Sequence, residues 1–190
     1  MGNREDLLAG ARQAILERGL AKVTARDIAN AAGVSLAAIG YHFGSKDRLV
    51  METLTEGVGS DIGDGIEAAI RDAGEGQTPW DALANTWNGF VDVAYNNRES
   101  LILSAENGVQ ISRDPEAQIY MAEATAKALG DMAVTLREVY PELSAEQSQA
   151  VGRLLFILFQ GLAMQSLIAP TAEQLSGEDL VTAVRALRGC

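Results

Sequence analysis

Residues 24–43 read TARDIANAAGVSLAAIGYHF, and this stretch decides the fold of the first part of the chain. Thr24 can N-cap a helix, and Asp27 stands three residues later in the place of a capping-box acid, although the longer Glu or Gln is preferred there. Ile28, Ala29 and Ala32 form the inward face of that helix. Ala29 is small enough for the second helix to pack closely, and Gly33 supplies the positive φ that the tight turn needs. Val34 plugs the corner. Ser35 is placed to cap a second helix, LAAIGYHF, whose Ile39 and Phe43 are four apart and share a buried face. Leu36, Ala37, Gly40 and Tyr41 are left pointing elsewhere. Two short helices joined in this way are the arrangement that a reader of the DNA major groove requires.

Working outward, residues 4–18 repeat apolar positions at Leu8, Ala11 and Ile15, a helical stripe. Gly19 with Leu20 and Val23 reads as the stop of this first helix and a hydrophobic lock behind it. On the other side, Gly44 ends the second helix of the pair and Ser45 caps a third segment, SKDRLVMETLTEGV, with Leu49, Val50 and Leu54 facing inward. The expected division is a helix-turn-helix head over residues 1–50 and a helical domain over 51–190. Beyond residue 57 the chain is rich in glycine, at Gly57, Gly59, Gly63, Gly65, Gly74 and Gly76. At about 1 kcal/mol per interior Gly, a hinge or a kinked connecting helix is expected there.

The remainder reads as further helices, from Thr78 or Pro79 to Asn96, Glu99 to Ile111, Pro115 to Val139, Ala145 to Ile168 and Glu178 to Leu187. Trp80, Leu83, Trp87, Val91 and Ala94 keep three- and four-residue spacing, while Pro115 and Pro141 stand where a helix begins and where one has ended. With no competing strand pattern, the fold class is all-α. The stretch from Leu154 to Leu167 is apolar on nearly every side and needs covering both by its own domain and by something else. Leu180, Val184 and Leu187 line one face of the last helix. Two such helices from each of two chains would form a four-helix bundle around Gly161 and Ala163, the alternative being a monomer in which the apolar helix is central.

The chain has 190 residues and 47% hydrophobic content, ample for a soluble core. Its one cysteine, Cys190, fits a reducing compartment as a free surface thiol, and the charged start MGNREDLLAG lacks the pattern of a targeting sequence. The expected location is the cytoplasm. The longest apolar run, Leu154 to Ala169, is interrupted by Gln160 and Gln165 and falls short of the roughly 20 residues of a membrane span, so no membrane partner is expected. Net charge is −11, unfavourable for contact with nucleic acid until it is divided along the chain. Residues 1–50 carry seven Lys/Arg against five Asp/Glu, net +2, and residues 51–190 carry eight against twenty-one, net −13. Only the head is suited to phosphates, and such asymmetry points to a nucleic-acid module joined to something else.

The run T-x-x-x-I-A-x-x-A-G-V-S followed by I-x-Y-H-F-x-S-K-x-x-L comprises Thr24, Ile28, Ala29, Ala32, Gly33, Val34, Ser35, Ile39, Tyr41, His42, Phe43, Ser45, Lys46 and Leu49. In these residues the chain resembles the TetR/AcrR family of bacterial transcriptional regulators, a likeness that covers roughly residues 8–54. The resemblance implies an all-α homodimer, an N-terminal helix-turn-helix, and a C-terminal domain that binds a small molecule and thereby releases DNA. In that mechanism the helix after Lys46 is the lever. One departure is visible: many members place an aromatic where this chain has Gly40, and here the tyrosine stands one place later.

Base-edge contacts fall near the N-terminal end of a recognition helix, which selects Leu36, Ala37, Ala38 and Gly40. None can hydrogen-bond a base through its side chain, so they meet thymine methyls or permit close backbone approach, and direct polar readout from this helix is thin. Arg26 matches a position that in some family members carries an arginine reaching guanine. It is the expected side-chain base reader, with a phosphate contact or a solvated helix-start charge as its alternatives. Thr24, Ser35, Tyr41, His42 and Lys46 form the expected phosphate set, combining hydroxyls, a ring N–H, an ammonium and helix N-termini. His42, the only histidine, has no second His with which to form a metal site or a catalytic dyad.

The sequence holds no P-loop, no Gly-rich strand-to-helix turn, no Cys cluster and no Ser/His/Asp set, so no enzyme activity, cofactor or metal is expected. A ligand pocket combines apolar walls with a few polar groups. Candidates are Trp87, Phe90, Met121, Met132 and Phe156 for walls, and Glu106, Asn107, Gln110 and Gln160 as handles, against the alternative that each is ordinary core or surface. The expected function is a dimeric regulator, most simply a repressor released from a palindromic operator by a small molecule. The competing reading is an α-helical small-molecule carrier that keeps a vestigial DNA head.

Overall fold

The computed structural model describes residues 4–55 and 59–189. Its helices are α1 (Arg4–Arg18), α2 (Ala25–Ala31), α3 (Leu36–Phe43), α4 (Lys46–Thr53), α5 (Gly59–Gly74), α6 (Leu83–Asn96), α7 (Arg98–Ile111), α8 (Pro115–Val139), α9 (Ala145–Ile168) and α10 (Gly177–Arg188). No strand occurs among the described residues, and the fold class is all-α. The readings that involve Gly57 and Cys190, and the end of the segment that follows Ser45, fall outside the described residues.

One compact unit comprises residues 1–60 together with 102–121, and a second comprises 61–101 with 122–190. In the first, α1 packs on α2 and α4, and α3 packs on α2 and α4. The inward stripe of α1 is Leu7, Gly10, Ala11, Ala14 and Ile15. Leu8, expected on that stripe, is half-buried, and its neighbour Leu7 is the core residue. Glycine at position 10 has a steric cause: a Cβ there would lie 2.6 Å from both the Cβ and the backbone nitrogen of Ala32. The two helices thus approach to near backbone contact at the pair Gly10 and Ala32.

The second unit buries Ile66 and Ile70 of α5, Trp87, Phe90 and Ala94 of α6, Leu101 of α7, Met132 and Leu136 of α8, Leu155, Phe159 and Leu162 of α9, and Leu180 of α10 in one core. Phe90 meets Phe159 edge to face with centroids 5.9 Å apart, a favoured arrangement for paired rings. The expected hinge resolves differently over the described part, since 59–74 is one helix. Two of its glycines serve packing: a Cβ at Gly65 would reach 3.0 Å from Val93, and one at Gly74 would collide with the Val139 side chain, whereas one at Gly63 would meet nothing within 4 Å. Tertiary contact here outweighs the weak helix propensity of glycine.

Helix α6 starts later than expected. Residues 78–82 form turns in which the Thr78 hydroxyl and Asp81 hydrogen-bond reciprocally, and the regular helix begins at Leu83. Helix α9 is 24 residues long with a mean hydropathy of 1.6 over its most apolar stretch, long and apolar enough to cross a bilayer by length and composition. Counting only the run from Leu154 understated it, because the helix begins at Ala145. One side of α9 belongs to the core through Leu155, Phe159 and Leu162.

Candidate nucleic-acid interface

The head is built around the start of α2. Thr24 accepts a hydrogen bond from the Asp27 backbone N–H at 3.2 Å, and its own N–H donates to Asp27 Oδ2 at 3.0 Å, so the capping box closes with the short acid. The Thr24 hydroxyl also donates to that oxygen at 2.6 Å. These bonds, the hydroxyl's first, hold the Asp27 carboxyl below the usual aspartate range, with Arg18 adding a weaker attraction. Helix α2 ends where Gly33 takes φ +66°. The Val34 N–H returns to the Ala29 carbonyl at 3.0 Å, fixing the turn.

Ser35 occupies the N-cap position of α3 in extended conformation, but its side chain makes no capping bond, which corrects the expected cap. The turn itself sets the direction of α3, through Gly33 and the Val34 bond. Gly44, at φ +77°, ends α3, and the Ser45 hydroxyl caps α4 by accepting from the Arg48 N–H at 3.1 Å. Ile39 and Phe43 are buried as expected. Leu36, Ala37, Gly40 and Tyr41 are exposed and Ala38 is half-buried. One exposed strip on α3 therefore carries leucine, alanine, glycine and tyrosine. A Cβ on Gly40 would meet nothing within 4 Å.

Around this strip the expected phosphate set is unevenly placed. Thr24, Ser35 and Tyr41 are exposed, and Tyr41 lies edge-on to His42 with centroids 4.9 Å apart. His42 is half-buried and tilted against Phe43. Lys46 is half-buried, with Nζ 3.5 Å from the Val23 carbonyl and 3.2 Å from Asp47 Oδ1. It thereby links the start of α4 to the loop before α2. Arg26 is exposed in the first turn of α2.

Sequence reading missed a carboxylate, Glu52. Its side chain is only 8% exposed and accepts from Arg4 Nη2 at 2.5 Å and from Arg48 Nε at 2.9 Å. The Arg48–Glu52 spacing of i, i+4 was visible in the sequence. The contact with Arg4, from the other end of the head, was not.

The ligand candidates fall into two sets by place in the chain. Trp87, Phe90 and Met132 are buried in the core of the second unit, and Phe156 is partly buried against it. The Trp87 indole N–H is already engaged with the Leu175 carbonyl at 2.6 Å. Gln160 is exposed, as are Glu106 and Gln110. Asn107 is buried. Met121, in the first unit, is half-buried and its sulfur accepts from the Thr55 hydroxyl at 3.6 Å. A surface groove of about 270 Å³ between α1 and α2, lined by Gln13, Glu17, Arg18 and Asn30 among others, includes none of these candidates.

A capped two-helix unit that exposes one face of its second helix, followed by a larger helical domain, defines a helix-turn-helix DNA-binding head on an all-α protein. Residues 7–53 match the family of bacterial regulatory proteins of the tetR type. The HTH-type transcriptional regulator BetI of Brucella anthropi is 36% identical over 81 residues, 43% of this chain and 40% of BetI. The HTH-type transcriptional repressor KstR2 of Rhodococcus jostii is 45% identical over 53 residues, 28% of this chain and 26% of that protein. The matches thus span well under half the length of these curated relatives. Among solved structures, a putative TetR-family regulator of Mesorhizobium loti shares the fold with TM-score 0.67 at 18% identity, over 97% of this chain and 95% of the other. The multidrug binding protein EbrR complexed with proflavin gives 0.67 at 19% identity, over 97% and 98%.

Proposed function

We propose that the chain is a dimeric transcriptional regulator that binds a palindromic duplex operator and is released from it, as a repressor, by a small molecule. The observation that carries the reading is the exposed strip of α3, presented by a capped helix-turn-helix within the matched residues 7–53. Arg26 reads guanine beside that strip, where a bidentate contact discriminates by about 1–3 kcal/mol. Thr24, Ser35, Tyr41, His42 and Lys46 set register on phosphates. The location is the cytoplasm, with the DNA, and no catalysis is involved.

Homodimerisation runs through α9 and α10. Leu154, Ile157, Gly161, Met164 and Ile168 are all exposed on α9, with Ile157 62% and Ile168 75% exposed. They alternate at three- and four-residue spacing, the rhythm of a helix-pairing seam. Gly161, where a Cβ would meet nothing within 4 Å, leaves room at its centre for a second helix. Such a seam, left in water, is a marker of association. The effector acts by differential affinity for the dimer forms that do and do not fit successive major grooves, and its site lies in the second unit, with Trp87, Phe90, Met132 and Phe156 as candidate walls and Gln160 as a handle.

The test is selection of duplexes from random DNA by the whole chain at near-physiological salt, followed by fluorescence anisotropy on the enriched sequence and a scrambled control. An enriched palindrome bound far more tightly than the control is the expected result. Absence of any enriched sequence, with weak and salt-sensitive binding only, would sink the proposal.

A further inference from the structure

We propose that α3 reads its half-site through the C5-methyl groups of thymines, with Leu36 as the specificity-determining residue. The operator then carries thymine where the first turn of α3 enters the major groove. The inference rests on the reading of the chain as an operator-binding regulator, and it specifies what the recognition surface selects.

Leu36 is the first residue of α3 and is 51% exposed. Positions 36 and 40, and 37 and 41, lie one turn apart, so the four residues form a single outward strip. Its relief is uneven: an isobutyl group projects at the N-terminal end, Ala37 and Gly40 form a low floor, and the Tyr41 phenol, 78% exposed, rises at the far end. At the end where recognition helices meet base edges, the strip is purely apolar. The nearest hydrogen-bonding side chain on it, Tyr41, is about 7.5 Å further along the axis.

The base edges differ sharply towards such a surface. In the major groove thymine alone offers a methyl group, whereas a G·C pair presents the guanine N7 and O6 and the cytosine amino group, with only ring C–H beside them. Seating Leu36 on a G·C edge strips water from those atoms without replacing their hydrogen bonds, which is costly. Seating it on a thymine methyl removes apolar surface of both partners from water. Selection therefore comes from a gain at A·T and a penalty at G·C together.

The experiment uses the full chain and the duplex enriched by selection. Each thymine of one half-site is replaced in turn by deoxyuridine, which lacks only the C5-methyl and keeps the same pairing. One or two positions are expected to weaken binding about fourfold, the worth of one buried methyl group. In Leu36→Ala those same deoxyuridine duplexes are expected to bind as well as the thymine duplex. Leu36 is exposed, so its removal leaves the head folded, which a melting curve verifies. Specific binding that is indifferent to every deoxyuridine would overturn this inference and leave the regulator standing. Failure of any duplex to enrich would overturn both.

Discussion

Arg4 lies with its guanidinium carbon 5.3 Å from the centre of the Phe43 ring, so the first turn of α1 rests against the last residue of the recognition helix. The same guanidinium donates to Glu52, which Arg48 also engages. One buried carboxylate therefore ties α1 and α4 together, and the arginine it holds covers the inward anchor of α3. The contacts are long-range in sequence and local in space.

Replacing Glu52 with Gln removes the carboxylate charge that both guanidinium groups engage. Because Arg4 and Arg48 are about half exposed, the cost falls below that of a fully buried pair, about 1–2 kcal/mol. That corresponds to a fall in Tm of about 3–6 °C for a chain of this size. A double-mutant cycle of Glu52→Gln with Arg4→Ala, read by thermal melting, should show the two changes to be less than additive. Strict additivity would mean that the pair carries no coupling.

Gly10→Ala places a methyl group 2.6 Å from both Cβ and backbone nitrogen of Ala32. Overpacking of this kind costs about 1–3 kcal/mol, and denaturant unfolding should register it as a lower midpoint. Ala32→Gly should not rescue the variant, because the backbone nitrogen remains in the way. Full rescue would show that only the side chains collide.

Asp27 and Asp179 are both held below the usual aspartate value of 3.8, by bonds from Thr24 and Ser176 respectively. A carboxyl group with a depressed folded-state pKa adds stability above its unfolded-state pKa and loses it as pH falls through the folded value. The chain should therefore lose melting temperature below about pH 4, and Asp27→Ala with Asp179→Ala should lose less over the same window. Equal acid sensitivity in both proteins would remove these caps from the account.

Ile157→Glu sets a charge in the exposed row of α9 without touching the buried Leu155, Phe159 or Leu162. On the proposed interface it should convert a dimer into a monomer in sedimentation equilibrium and weaken operator binding, while the far-ultraviolet helical signal is unchanged. A dimer that survives the substitution places the interface elsewhere.

Arg26→Ala and Lys46→Ala should fail differently. The first relaxes discrimination at one base position; the second lowers affinity for all sequences alike and reduces the salt slope by about one. Titrations on selected and scrambled duplexes at several salt concentrations separate the two effects.

Helix boundaries were legible in the sequence wherever the chain carries its own punctuation. Thr24 with Asp27, Gly33, Gly44, Ser45 and Pro115 each mark a boundary through local bonds or backbone conformation, and the structure places helix ends beside them. Local rules failed where a distant partner decides. Leu7 and Leu8 look alike in sequence, and the packing of α1 on α2 and α4 chooses Leu7. Gly65 and Gly74 read as breakers, yet they fit close beneath Val93 and Val139. At the candidate site, the exposed strip of α3 followed from helical periodicity. The role of Glu52 was hidden, because no local pattern pairs residue 4 with residue 52.

Gly40 gives the head a latitude that most protein surfaces lack. It sits on the outward strip at helical φ, with open space around a would-be Cβ. A larger residue there meets no steric obstacle, and the helix gains up to about 1 kcal/mol when an interior glycine is replaced. Acquiring a new polar contact at this position therefore costs no stability, and a lineage can change the sequence it recognises without first accumulating compensating mutations.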